Sequence, residues 1–138
     1  MRYAFPASAG LLATLAAGLI LFPFVYVIFD NFFELHFITP PTSSKSDLII
    51  GVTLILWMLF SSIAGGFACS LVAENKEDFH IFLLIIIAFI AGLLVSKGSI
   101  IEEWDSLLPV YGSFIIGYVL GGVSGVLYKG KVQREKIT

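Results

Sequence analysis

The stretch LLPVYGSFIIGYVLGGVSGVLY, residues 107–128, contains no charged side chain, and from Ser113 to Gly125 every fourth residue is a serine or a glycine. At about 1.5 Å per residue, a helix of this length covers the roughly 30 Å of hydrocarbon in a bilayer. The four-residue spacing places Ser113, Gly117, Gly121 and Gly125 on one helix face. The stretch therefore predicts a transmembrane helix with a narrow face of small residues.

Three further apolar stretches, 7–29, 48–73 and 81–96, precede it, and the third reaches membrane length as a helix over 79–101. The chain's 8 basic and 10 acidic residues lie outside these stretches or at their ends, and 58% of all residues are hydrophobic. Such a composition leaves no segment for a water-soluble domain. We predict an all-α chain with one domain over residues 1–138: an antiparallel bundle of four transmembrane helices at about 7–29, 48–73, 79–101 and 107–128, followed by a basic tail at 129–138.

The distribution of basic residues predicts the orientation of the bundle, because short basic loops stay in the cytoplasm. One side of the predicted bundle has six basic residues, and the other has Lys45 and Lys97. The six are Arg2, Lys76, Lys129, Lys131, Arg134 and Lys136. We therefore expect both termini in the cytoplasm of a bacterial inner (plasma) membrane.

Each predicted span has a face of small residues, which allows close backbone approach between helices in lipid. These faces are Gly10, Thr14 and Gly18; Ser62, Gly66 and Ser70, beside Ser61, Gly65 and Cys69; Ala88, Gly92 and Ser96; and Ser113, Gly117, Gly121 and Gly125. Three interpretations stay open: the faces meet within one chain, one of them is a seam for a partner or a second copy, or they line a path for a solute.

Two polar features of the spans call for a partner. The indole N–H of Trp57 lies near mid-bilayer and needs an acceptor, such as a serine or a backbone carbonyl on another helix. Lys97 lies about one turn inside the outer boundary, where its stem can reach the headgroups. Lipid headgroups are also possible contacts for Lys129, Lys131 and Arg134 of the basic tail, because anionic lipids attract basic residues.

The spans predict neither catalysis nor a cofactor. Proton-coupled carriers and haem proteins keep ionisable or ligating residues at bilayer depth, and the predicted spans have none there. His36 and His80 fall on opposite sides of the predicted membrane, and the single cysteine, Cys69, cannot form an internal disulfide or a cysteine-rich metal site. We expect no enzyme activity, no bound metal and no nucleic-acid partner.

The expected function follows from these patterns. The sequence favours a small membrane protein that acts through helix packing, as an accessory subunit or a structural oligomer. Its expected partners are the lipid bilayer and either another membrane protein or a second copy, bound through span four. The alternative is a homo-oligomeric transporter or channel for an uncharged or small cationic solute. The acidic outer loops would attract a cation.

Overall fold

The computed structural model describes residues 4–33, 44–73, 77–95 and 104–135. Apart from Ala73, these residues are all helical. Helix α1 covers Ala4–Phe33, α2 covers Ser44–Val72, α3 covers Glu77–Val95 and α4 covers Trp104–Glu135. The all-α prediction is therefore confirmed for the part of the chain that the structure describes.

Three of the four helices are long and apolar enough to cross a membrane, through their segments Phe5–Val27, Gly51–Val72 and Tyr111–Glu135. The corresponding apolar segment of α3, Asp78–Ala91, is shorter. The predicted end of span three at residue 101 lies outside the described residues, and so does Lys97.

The helices extend beyond the apolar stretches that predicted them. Helix α1 continues to Phe33, α2 begins at Ser44, and α4 begins at Trp104 and includes most of the basic tail, up to Glu135. A charge-free run marks the part of a helix that lipid can surround, whereas a helix continues wherever the backbone has no breaker. The apolar stretches therefore predicted where the helices lie, but they did not predict where the helices begin and end.

Helix α2 occupies the middle of the structure and packs most extensively against α4 and α1, while direct contact between α1 and α4 is slight. Gly10 of α1 lies opposite Cys69 and Gly18 lies opposite Ser61, so α1 and α2 run antiparallel. Gly117 and Gly125 of α4 lie opposite Ser62 and Ser70, so α2 and α4 run parallel. The closest pair thus consists of two helices that are not consecutive in the sequence.

Helix α3 packs across the other three over a short length. Ile81 contacts Gly122 of α4, and Leu84 contacts Gly10 of α1. Both side chains are buried, and Ala88 one turn further along is buried as well. These contacts are made by the ends of aliphatic side chains, whereas backbone atoms meet at the interfaces of α2.

The outward surfaces of the helices are strongly apolar. Many large side chains are exposed, including Leu12, Leu15 and Leu19 of α1, Phe82, Ile86 and Ile90 of α3, and Ile116, Leu120, Val123 and Leu127 of α4. Such surfaces would be unfavourable in water over this area, and they indicate contact with a lipid bilayer.

Candidate functional site at the two small-residue faces of α2

The first face of α2 lies against α4 of the same chain. A Cβ atom at Gly117 would lie 2.7 Å from the carbonyl oxygen of Leu59, and one at Gly125 would lie 3.0 Å from that of Phe67. A Cβ at Gly121 would collide with the carbonyl group of Ile63. At Gly121 the atoms in the way belong to the backbone, which cannot move aside without disturbing α2, and at Gly117 and Gly125 a serine Oγ of α2 is in the way as well. Glycine in α4 is what permits this approach.

The residues predicted as a seam therefore come together in the structure. The row in α4 that contains Gly117, Gly121 and Gly125 faces the row in α2 that contains Ser62, Gly66 and Ser70, and Ser113 is buried on α4 as well. A Cβ at Gly66 would lie 2.9 Å from the backbone nitrogen of Gly122. Both rows are used within one chain, so a partner at this face would have to displace a helix.

The second face of α2, one residue away along the chain, lies against α1. A Cβ at Gly10 would lie 2.9 Å from both the Cβ of Cys69 and the carbonyl oxygen of Gly65. At the other end of the interface, a Cβ at Gly18 would lie 3.5 Å from Ser61 Oγ, an ordinary contact distance. Adjacent rows on α2 thus bind two different helices.

Serine hydroxyls on these faces donate to carbonyl groups of their own helix. Ser61 Oγ donates to Trp57 O at 2.8 Å, Ser62 Oγ to Met58 O at 2.7 Å, and Ser70 Oγ to Phe67 O at 2.9 Å. A hydroxyl that is satisfied in this way can be buried against a neighbouring helix without the cost of an unpaired polar group. These serines serve as small residues in a packed interface.

Tyr118 of α4 carries a polar link across α2 to α1. Its side chain is fully buried, and its hydroxyl lies 3.0 Å from Thr14 Oγ1. Thr14 Oγ1 donates its single proton to Gly10 O at 2.9 Å, so the phenol is the donor to Thr14. A Cβ at Gly65 would lie 2.8 Å from Tyr118 Cε1. The absence of a side chain at Gly65 is what lets the ring pass.

The Tyr118 link was not predicted from the sequence. A signal for it exists, because a tyrosine in the middle of a charge-free span must find a partner for its hydroxyl. The sequence cannot show which helix supplies that partner. For Trp57 the prediction is confirmed: Nε1 donates to the carbonyl oxygen of Gly18 on α1 at 3.0 Å.

Lys129 of α4 caps the C-terminal end of α2 with its ammonium group. Nζ donates to the carbonyl oxygen of Ser70 at 2.9 Å and also to that of Ala73. Carbonyl groups in the last turn of a helix lack partners within the helix, and a cation there also opposes the negative end of the helix dipole. We estimate that this cap contributes about 1–2 kcal/mol to stability.

The other predicted headgroup contacts are placed differently. Lys131 and Arg134 are exposed on the last turns of α4. Within residues 4–33, 44–73, 77–95 and 104–135, no group of three His, Cys, Asp or Glu side chains lies close enough to hold a metal ion. The described residues of these faces make neutral hydrogen bonds, a lysine cap on the end of α2 and close helix contacts.

The sequence matches no protein family, and neither a curated protein nor a solved structure is detectably similar to it.

Alanine substitutions in α4 should separate a packed glycine from an unpacked one. Gly121→Ala is expected to lower the free energy of unfolding by about 1–3 kcal/mol, because the new methyl group collides with the backbone of α2. The matched control is Gly112→Ala, where a Cβ would meet no atom within 4 Å. It should leave stability unchanged or raise it by up to about 1 kcal/mol. Reversible unfolding in detergent micelles measures both, and equal effects would contradict the packing described.

Proposed function

We propose that this chain is a small integral membrane protein that acts through helix packing, as an accessory subunit or a structural oligomer. The observation that supports this proposal most directly is the close packing of the described interior, with its serine hydroxyls hydrogen-bonded. Backbones of α2 meet those of α1 and α4, and the hydroxyls of Ser61, Ser62 and Ser70 are satisfied within their own helix. An interior of this kind suits a rigid element that presents its outer surface to other membrane components.

The proposed partner surface differs from the seam expected from the sequence. The small face of α4 lies against α2, so a partner or a second copy would bind the outward faces. Those faces carry large apolar side chains that lipid also covers, such as Leu19 on α1 and Leu120 on α4. Tight knob-like packing on such side chains can compete with lipid through van der Waals contact.

The proposal also includes the placement in the membrane. All four helices cross it, and α3, with 19 residues, is about 28 Å long. Both termini lie in the cytoplasm of a bacterial inner membrane, as the basic residues on one side favour. The described part of the basic tail then forms a helical extension that emerges into the cytoplasm, with Lys131 and Arg134 exposed to headgroups or solvent.

The test of the proposed function is native mass spectrometry on complexes extracted from membranes in lipid nanodiscs. We expect a defined species heavier than the 15.1 kDa chain, containing a second protein or further copies of this one. Leu120→Trp on α4 and Leu19→Trp on α1 serve as a matched pair that probes opposite outward faces, and one of them should reduce the complex. A lone chain with bound lipid would contradict the proposal. A homo-oligomer that also passes solutes into liposomes would favour the transporter alternative.

Thiol labelling tests the orientation. Cys69 is fully buried, so the native chain gives a low background. With Gln133→Cys, a membrane-impermeant maleimide should react only after permeabilisation, because that exposed position lies on the cytoplasmic side. With Ser43→Cys, in the loop expected outside, it should react with intact cells. The reverse pattern would overturn the proposed orientation, and neither substitution alters a charge that determines topology.

A further inference from the structure

Helix α1 has two neighbouring rows of small residues, and the structure uses one of them. Gly10, Thr14 and Gly18 are buried against α2. Ala9, Ala13 and Ala17, one residue away, are half-buried. A turn of α1 by one residue, about 100° around its axis, would bring the alanine row to the place that the Gly10–Thr14–Gly18 row occupies. At the place of Gly18 an alanine Cβ would make an ordinary contact, 3.5 Å from Ser61 Oγ. At the place of Gly10 it would lie 2.9 Å from the carbonyl oxygen of Gly65, so the turned helix would have to move slightly away from α2 at that end.

The Tyr118–Thr14 hydrogen bond also distinguishes the two positions of α1. In the observed position the phenol donates to Thr14 Oγ1. After a turn by one residue, the methyl group of Ala13 would face the phenol, and the hydroxyl of a fully buried tyrosine would lack this acceptor. A serine does occur nearby in α1, but Ser8 is exposed and donates to Phe5 O.

A second polar contact, between α1 and α2, lacks this selectivity. Trp57 Nε1 donates to a backbone carbonyl, that of Gly18. A helix presents a carbonyl group at each residue, so the carbonyl of Ala17 could replace it after the turn. Direct contact between α1 and α4 is otherwise slight. The hydrogen bond of the Tyr118 phenol is therefore the described α4 contact that depends on which row of α1 faces inward.

We propose that the hydrogen bond from Tyr118 to Thr14, together with the close contact at Gly10, sets the rotational position of α1 against the α2–α4 pair. The bond acts as a latch: it is compatible with the Gly10–Thr14–Gly18 row and incompatible with the alanine row. The hydrogen bond also requires glycine at position 65, because a side chain there would collide with the ring of Tyr118. The inference concerns the internal arrangement of one chain and does not depend on the proposed function.

Disulfide formation with the native Cys69 reports the rotation. A Cβ at Gly10 would lie 2.9 Å from the Cβ of Cys69, so a small outward shift brings a cysteine at that place to the roughly 3.5–4.5 Å at which a disulfide forms. The substitution Ala9→Cys puts a thiol at that place only when α1 has turned. The rate of disulfide formation in native membranes, with copper phenanthroline as oxidant, is the measured quantity.

The experiment compares variants of the full chain that all carry Ala9→Cys. With the latch intact, we expect slow disulfide formation. Adding Tyr118→Phe should accelerate it about three- to tenfold, the range typical of losing one hydrogen bond between membrane helices. Adding Ser124→Ala instead removes an exposed hydroxyl that donates to Leu120 O within α4, and it should leave the rate unchanged.

A relocated hydroxyl separates the latch from general loosening of the bundle. The pair Ala13→Thr and Thr14→Ala moves the acceptor to the alanine row while Tyr118 stays, so α1 should turn and the disulfide should form faster than with the native row. Adding Tyr118→Phe to this pair should remove that gain. If Tyr118→Phe prevents folding, the comparison of disulfide rates between the native row and the relocated pair still tests the proposal. Equal rates for the native and relocated rows would overturn the proposal.

Discussion

The structure depends on close backbone contact along α2. In a bilayer, helices gain little by burying apolar side chains against one another, because lipid tails are equally apolar, so association depends on how closely backbones can approach. Helix α2 provides this approach on two adjacent rows, with Gly65 facing α1 and Gly66 facing α4. Glycines on the partner helices complete both contacts, which is why α2 lies in the middle and large side chains point outward.

Polar groups then fix the helices that the small faces bring together. Tyr118 reaches Thr14 across Gly65, and Trp57 reaches the backbone of α1 nearer the other end of the interface. Lys129 joins the last turn of α2 to α4. Hydrogen bonds between membrane helices contribute little stability each, but they act at defined points along a helix, so they can select one arrangement among several of similar packing.

Part of this arrangement could be predicted from the sequence. Charge-free runs located the helices, and the four-residue spacing identified Gly117, Gly121 and Gly125 as one face. The pairing of faces could not be predicted, because each span has small residues and only the folded chain determines which rows meet. Helix ends were missed because hydropathy marks membrane depth. The roles of Tyr118 and Lys129 depend on groups more than 50 residues away along the chain, at Thr14 and Ser70.

The small faces of α2 and α4 meet within one chain, and oxidation of a cysteine pair tests this contact most directly. In a Cys69→Ala background, Ser70→Cys and Gly125→Cys introduce thiols at positions whose Cβ atoms would lie 3.1 Å apart. With both on one chain, we predict rapid closure to a product of monomer size. With each on a separate, co-expressed chain, we predict no disulfide. A dimer-sized product from the mixed chains would contradict contact within one chain.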